Sequence, residues 1–328
     1  MEQTAPKVAV IIPTWNTRRW LPGCLNGLRA QTFRDFQTVV VDNGSADDSV
    51  AFIKENYPEV QVIALAENQG FAPAVNAGIR HTRSEYVALL NVDTEPCPDW
   101  LANLVTTMDE APPEVGSLAS KMLSMADPTI LDDAGNSFSW YGSARKRGKG
   151  QPASDWSTEE EVLSACGGAA FYRRSFLDNT GGFDESFVSY LEDVDLGLRG
   201  QLLGYRCLYV PAAQVLHQWQ GANIPRPEYV RLSTRNRLAV LLKNIPFRLL
   251  LRHLSTLLYG QLYFFLVYKK PVASLAGYLA LVKSLPALLK QRRQLQRQRK
   301  TTTGALDSLL STDLGEPDLW NIIRQKMG

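Results

Sequence analysis

Cysteine is scarce in this chain, and neither charge sign prevails. Cys24, Cys97, Cys166 and Cys207 are the four cysteines among 328 residues, far apart and without a Cys-x-x-Cys pair. That usage argues against a disulfide framework or a zinc site and suits reduced core thiols in a cytosol. Thirty-five basic against 33 acidic residues leave a formal charge of +2, so the whole molecule has no nucleic-acid footprint and any charged binding surface is local. The opening MEQTAPK is polar and lacks the basic-then-apolar order of a secretory signal, which predicts that the start of the chain stays in the cytoplasm. A glycine fingerprint is missing as well. The first strand-like run, VAVII, leads into PTWNTRRW with no Gly-x-Gly-x-x-Gly and no Walker loop. A glycine-rich turn alone therefore does not hold phosphate here.

With 45% hydrophobic residues the chain can bury a sizeable core in one large domain or two ordinary ones. From Lys7 to about Val92, β-branched runs (VAVIIP, QTVVVD, VQVIAL, EYVALLN) alternate with helical patterns over Arg18 to Ala30, Asp47 to Asn56 and Pro73 to His81. This predicts an α/β fold whose parallel sheet is covered by helices on both faces. In open sheets of that kind, ligands sit beyond the carboxyl ends of the strands. Polar residues gather at those ends: Thr14 and Asn16, Asp42 to Ser45, Asn68, then Asn91 and Asp93. A less regular section, about Trp100 to Gly221, has strand-like VGSLAS, AAFYR and YRCLYV, and a basic loop, SARKRGKG, read either as solvated or as a contact to an anionic acceptor. From about Arg231 the pattern is helical, leucine-rich and basic, and it closes in a polar tail containing TTTG and GEPD. The expected division is 1–225 (with halves 1–97 and 98–225), a helical region 226–300 and a tail 301–328.

Two stretches carry the chemistry. In LLNVDTEP an apolar strand ends in Asn91, Asp93 and Glu95. Asp93 suits a hard divalent cation, which takes oxygen ligands, and Asn91 points to the same side of an extended chain. The same residues also make a competent turn or helix cap, with Asp99 a further cap before Trp100. In SYLEDVDLGLRGQLLGY, Leu191, Val194, Leu198 and Leu202 recur at helical spacing, and Ser189 with Glu192 has capping-box spacing. Asp193 has no such structural task. Near the positive end of its helix it stays ionised, as a general base must. Asp195, on another side of the turn, reads as structural. His217 is expected in a loop after the strand YRCLYVP.

Taken together, PTWN, VVVDNGSADDS, ENQGFAPAVNAGI, LLNVDTEP, CGGAAFYRRS, GGFDESFVSYLEDVDLGLRGQLLGY and LHQWQG, in this order over about Val8 to Gly221, resemble family 2 glycosyltransferases of the GT-A fold. Within that family the pattern looks most like bacterial rhamnosyltransferases. The resemblance implies a GT-A domain over 1–225, a mixed, mostly parallel sheet flanked by helices, and a C-terminal helical extension. It implies that Thr14, Asn16, Asp42, Ser45, Asn68, Gly70, Asn76 and Asn91 line a nucleotide-sugar pocket; Asn76 also reads as a plain polar helix residue, and Asp47 reads either as lying near this pocket or as a helix cap. Asn91 and Asp93 occupy the Asp-x-Asp position of the fold, and Asn in first place leaves Asp93 as the direct ligand of a divalent metal, Mg2+ or Mn2+. His217 matches a family histidine that approaches the metal or diphosphate. Glu192 and Asp193 match the Glu-Asp motif, with Asp193 the catalytic base, and Cys166, Gly167 and Gly168 match an acceptor-side loop that also reads as a tight turn.

The implied reaction is inverting transfer from a nucleotide diphosphate sugar, dTDP-rhamnose being one candidate, to a glycan or lipid-linked acceptor in bacterial surface polysaccharide synthesis. No carboxylate nucleophile for a retaining route stands out. The alternatives are a sugar nucleotidyltransferase, whose glycine-rich signature is absent, and a nucleotide-binding membrane scaffold without catalysis. LLLRHLSTLLYGQLYFFLVY and VASLAGYLALVKSLPALL are interrupted by Arg252, His253, Gln261, Lys283 and Pro286. With KQRRQLQRQRK behind them they read as a helical hairpin on an anionic membrane surface, peripheral to the inner face of the cell membrane, or else as a soluble appendage or dimer contact.

Overall fold

The computed structural model describes residues 5–218 and 225–314. Trp219 to Gly221 of the LHQWQG motif and the GEPD of the tail lie outside the described residues. The chain forms two compact units, residues 1–136, 146–201 and 205–223 in the first and 137–145, 202–204 and 224–328 in the second.

In chain order the elements up to residue 133 are β1 (Val8–Thr14), α1 (Leu21–Arg29), β2 (Phe36–Asp42), α2 (Ser49–Asn56), β3 (Gln61–Ala64), α3 (Phe71–His81), β4 (Tyr86–Leu90), β5 (Thr94–Pro96), α4 (Trp100–Glu110), β6 (Val115–Ser124) and β7 (Leu131–Asp133). A short two-stranded sheet, β8 (Asn136–Phe138) with β9 (Ala144–Lys146), precedes β10 (Glu160–Val162), β11 (Ala169–Arg173), α5 (Arg174–Thr180), α6 (Glu192–Leu202) and β12 (Arg206–His217). The main sheet runs β10-β12-β6-β11-β4-β1-β2-β3, with β5 paired to β12 and β7 to β6. β1, β2, β3 and β4 are mutually parallel, as the alternating pattern predicts. β11 is antiparallel to β4, Ala169 opposite Leu90, so the glycines just before β11 lie at the carboxyl end of β4.

Side-chain alternation divides the core between the two faces. Val8, Val10 and Ile12 of β1 pack with Leu21, Cys24, Leu25 and Leu28 of α1 and with Trp100, Leu104 and Met108 of α4. Ala9 and Ile11 face the other way, against Ala72, Val75 and Ile79 of α3. Gly78 lets α3 approach the sheet: a Cβ there would lie 2.5 Å from Ile11 Cγ2.

Three expectations need correction. β12 does not stop at Pro211 but runs to His217, with a register shift between Val210 and Gln214 relative to β6. Proline lacks a ladder donor, so it is accommodated where the pairing is irregular, and the strand resumes beyond it. The capping box does not form, because α6 begins at Glu192 itself and Ser189 Oγ instead accepts from the Phe71 amide at 3.2 Å. Leu191 consequently stands outside the helix, and the buried side of α6 comprises Val194, Leu196, Leu198 and Leu202. Finally, three of the four cations of SARKRGKG pair with carboxylates of this chain: Arg145 lies 3.7 Å from Asp313, Lys146 2.6 Å from Asp132 and Arg147 2.5 Å from Glu160.

The second unit contains α7 (Arg226–Asn244), α8 (Phe247–Arg252), α9 (Leu254–Tyr268), α10 (Pro271–Gln298) and α11 (Thr303–Leu309). Gly277 of α10 sits tightly on α7, where a Cβ would come within 2.6 Å of the Arg231 carbonyl. α11 gives the expected polar tail an ordered turn, capped by Thr302, whose hydroxyl accepts from the Ala305 amide. Leu254, Leu258, Leu262 and Leu266 recur every fourth residue along α9 and are all exposed, as are Val272, Leu275, Leu279 and Val282 of α10. Among the described residues, α10 is the one helix long and apolar enough to cross a membrane.

Candidate active site

At the ends of β1 and β2 the backbone is cross-laced by the polar residues that the sequence singles out. Asn16, at φ 54°, donates its amide to Ser45 Oγ at 2.9 Å and accepts from the Ala46 amide at 2.8 Å. Thr14 Oγ1 lies 2.5 Å from Thr17 Oγ1. Asp47 takes the structural side of its two readings, accepting from the amides of Arg18 and Ser49. Asp42 is 3% exposed; its Oδ2 accepts from the Ser45 amide, while its Oδ1 is buried without a hydrogen-bond partner. An unpaired buried carboxylate oxygen costs stability, which makes Asp42 a fitting acceptor for a ligand donor.

Asn68 and Gly70 close this corner. Asn68 Oδ1 accepts from Asn43 Nδ2 and from the Gly70 amide, and Asn43 in turn donates to the Gly70 carbonyl and accepts from the Gln69 amide. Gly70, at φ 97°, leaves no room for a side chain, since a Cβ would sit 2.7 Å from the Val188 carbonyl oxygen. Asn76 is buried within α3. Its carboxamide holds the chain after α5, donating to the Phe183 carbonyl and Glu185 Oε1 and accepting from the Phe183 amide. Of its two readings, that is the plain helix residue.

Pairing of β5 with β12 sets Thr94 opposite His217, and the Gln218 amide donates to the Asp93 carbonyl at 2.9 Å. The buried Asp93 carboxylate thereby faces His217, Oδ2 to Nε2 at 3.5 Å. Two ligands in adjacent positions around one Mg2+ or Mn2+ ion stand roughly 3 Å apart at the usual ~2.1 Å bond lengths. A carboxylate oxygen and an imidazole nitrogen at this separation fit such an ion. Among the described residues no group of three or more His, Cys, Asp or Glu side chains forms a metal cage. On its far side His217 Nδ1 lies 2.6 Å from Asp132 Oδ2, which also receives Lys146 Nζ at 2.6 Å. Burial opposes charging of His217, but the hydrogen bonds to Asp132 and then to Asp93 outweigh it and raise its pKa. For Asp132, burial works against the charged form, yet His217 and Lys146 hold its pKa below the ordinary value.

Asp193 stands in the first turn of α6. Its Oδ2 accepts from the Gly167 amide at 2.9 Å and from Asn136 Nδ2 at 3.1 Å, and its Oδ1 accepts from the Val194 amide at 2.8 Å. The next glycine, Gly168, accepts from the Asn91 amide at 2.9 Å. Asp193, Gly167, Gly168 and Asn91 thus form one contiguous series at the end of β4. The glycines allow close approach there: a Cβ on Gly167 would lie 3.4 Å from Phe71 Cε1 and 3.8 Å from Asp193 Cβ, and one on Gly168 would meet Met122 Cε at 2.8 Å. The adjacent Glu192 differs from its neighbour. It is 7% exposed, its Oε2 has no partner, and burial, then the Asp193 charge, pushes its pKa well above the carboxylate range. Asp195 is fully buried against Arg199 at 2.8 Å, a structural ion pair as expected.

Several participants escape a reading by motif. Val188, Tyr190 and Leu191 all have positive φ (65°, 72° and 68°), immediately before Glu192. Each such conformation costs about 1–3 kcal/mol and concentrates at functional sites. Asp132, Asp133, Asn136 and Lys146 come from LDDAGN and the basic loop; the adjacent acids two residues before a glycine were the available signal.

Residues 9–181 match the family described as Glycosyl transferase family 2. The N-acetylglucosaminyl-diphospho-decaprenol L-rhamnosyltransferase of Mycobacterium tuberculosis is 29% identical over 250 residues, covering 66% of this chain and 76% of that protein. The O-antigen biosynthesis protein RfbC of Myxococcus xanthus is 28% identical over 239 residues, 68% of this chain but 18% of that protein. Among solved structures, S. aureus TarS 1-349 in complex with UDP-GlcNAc aligns with a TM-score of 0.56 at 17% identity, covering 95% of this chain and 98% of that one. GalNAc-T7 with UDP, GalNAc and Mn2+ gives a TM-score of 0.61 at 15% identity over 74% of this chain and 48% of that one. The likeness to these structures, with the mixed sheet and flanking helices, is that of the GT-A fold. By the extent of its family match, this chain belongs to glycosyl transferase family 2.

Proposed function

We propose that this protein is an inverting, metal-dependent glycosyltransferase that moves a sugar from a nucleotide diphosphate sugar, with dTDP-rhamnose the first candidate, to a glycan or lipid-linked acceptor of a bacterial surface polysaccharide. The observation that supports the reading is the hydrogen-bonded series of Asp193, Gly167, Gly168 and Asn91, which reaches the strand end two residues before Asp93, itself facing His217. Asp42, with its free Oδ1, accepts a donor hydrogen from base or ribose, and Thr14, Asn16, Ser45, Asn68 and Gly70 shape the nucleotide side. Asp93 and His217 would hold a divalent ion, Mg2+ or Mn2+. When bound, that ion neutralises charge on the departing diphosphate. Asp193 orients the acceptor hydroxyl and takes its proton as the oxygen attacks the anomeric carbon, while the bond from that carbon to the diphosphate breaks; attack opposite the leaving group inverts the centre. Gly167, whose amide holds Asp193, and Gly168 next to it form the acceptor side in this reading.

The relatives named for rhamnosyl transfer and O-antigen biosynthesis support the donor and pathway class. The exposed leucine rows of α9 and α10 support placement on the inner face of the cell membrane, because no Asp or Glu occurs between Glu228 and Asp307 while Lys and Arg recur throughout. Such a surface suits anionic lipid headgroups. Release of nucleoside diphosphate from a panel of nucleotide sugars, with and without Mn2+ and Mg2+, tests the function. Metal-dependent turnover with inversion of the anomeric centre is expected; a panel without metal-dependent turnover refutes the reading.

A further inference from the structure

We infer that the turn Asp132 to Asn136 is a single brace that positions both ends of the reaction: Asp132 orients His217 toward Asp93, and Asn136 orients the carboxylate of Asp193. The inference rests on the proposed function and adds to it two positioning residues that touch neither substrate nor metal.

Geometry supports each arm. Asp132 is fully buried, and its Oδ2 meets His217 Nδ1 at 2.6 Å. A carboxylate there would keep a proton on Nδ1, so that Nε2, 3.5 Å from Asp93, is free to turn its lone pair to a divalent ion when one is bound. Lys146 balances the Asp132 charge from the other side at 2.6 Å. Asn136, 5% exposed, donates Nδ2 to Asp193 Oδ2 at 3.1 Å and is itself held by Ser164 Oγ and the Ala165 carbonyl. A side-chain amide in this place reinforces the Gly167 amide, so the Asp193 oxygen that carries two donors is fixed in direction.

Between the arms the turn is built to be stiff. Asp133 Oδ1 accepts from the Gly135 amide at 2.6 Å, Gly135 has φ 88°, and a Cβ on it would meet Val162 Cγ2 at 3.0 Å. β7 anchors the first arm to β6, and the Asn136 amide anchors the second to the Ser164 carbonyl at 2.8 Å.

The test uses the full chain and separates the arms with Asp132→Asn and Asn136→Asp, after thermal unfolding confirms that each folds. Mn2+ binding, read by loss of the free-ion EPR signal in the presence of dTDP or UDP, should weaken about 10- to 100-fold in D132N, as when an outer carboxylate of a metal-bound histidine is removed. It should stay unchanged in N136D. Conversely, the acid limb of kcat/KM for nucleoside diphosphate release should move up by about one pH unit in N136D, because a second carboxylate beside Asp193 disfavours its ionisation, and should stay in place in D132N. Variants that lower the unfolding temperature but leave both Mn2+ affinity and the pH limb at wild-type values, or that move both together, overturn the brace. If D132N does not fold, the N136D arm decides alone: an unmoved limb refutes the inference. Wild-type protein that binds no Mn2+ refutes the metal reading itself, a result distinct from equal binding by wild type and D132N, which refutes the brace only.

Discussion

Replacing Asp193 by Asn keeps the shape of the side chain and removes its ability to take a proton. The carboxylate accepts from Gly167, Asn136 and Val194. An amide has one oxygen for these three donors, so its NH2 faces at least one of them whichever way it turns. The lost or opposed hydrogen bonds cost about 1–3 kcal/mol if fully buried, and less here because Asp193 is only partly buried. Against a typical stability of roughly 5–15 kcal/mol, the fold survives. Catalysis suffers more. Loss of a general base lowers turnover about 10²- to 10⁴-fold, roughly 2.7–5.4 kcal/mol at 1.36 kcal/mol per decade. With Asp193 proposed to act on the acceptor proton and not on the nucleotide, kcat should fall while donor affinity holds within about threefold. Nucleoside diphosphate release at saturating donor measures the first, and calorimetric titration with donor measures the second. Turnover within tenfold of wild type removes Asp193 from the reaction, and a fall explained entirely by weaker donor binding assigns it to the wrong step.

Asp42→Ala removes the carboxylate whose Oδ1 has no protein partner. Nucleotide affinity by titration should drop about 10- to 100-fold, the equivalent of one charged hydrogen bond, and unchanged affinity would place the base elsewhere. Asp133 is held protonated by burial, its pKa pushed up to about 7. Since an unfolded aspartate ionises near pH 3.9, this group penalises the fold as pH rises from about 4 through 7, by at most about 4 kcal/mol. Asp133→Asn should therefore gain unfolding temperature relative to wild type between pH 5 and pH 7.5; a difference that does not change with pH contradicts the assignment. Leu258→Glu with Leu262→Glu places charge on the exposed face of α9. Co-sedimentation with phosphatidylglycerol vesicles should fall at least about tenfold, from two lost side chains worth about 1.5–3 kcal/mol each when buried, and equal co-sedimentation would remove α9 from the membrane contact.

The parallel half of the sheet was legible because β1, β2 and β4 are buried on both faces and read as unbroken apolar runs. Their polar ends were legible for the same reason: Asp42 and Asp93 interrupt a burial pattern that has no place for charge. His217 was identifiable by motif, but not its place in a strand, since Pro211 reads locally as a stop and only pairing with β6 and β5 shows that β12 continues. Capping-box spacing misled at Ser189 because the spacing records a local option, and the chain instead enters α6 through the strained residues Val188, Tyr190 and Leu191. The roles of Asp132 and Asn136 are set by partners 85 and 57 residues away. No periodicity within a short window carries such contacts.

Asp93 with His217, and Asp193, are proposed to act on one bound donor. A crystal structure of the protein with Mn2+ and dTDP, using the anomalous signal of manganese, tests this proposal most directly. A manganese peak within bonding distance of Asp93 Oδ2 and His217 Nε2 is expected, with the diphosphate on that ion and open space between it and Asp193. Manganese and nucleotide bound away from Asp93, or with protein filling the path to Asp193, would contradict it.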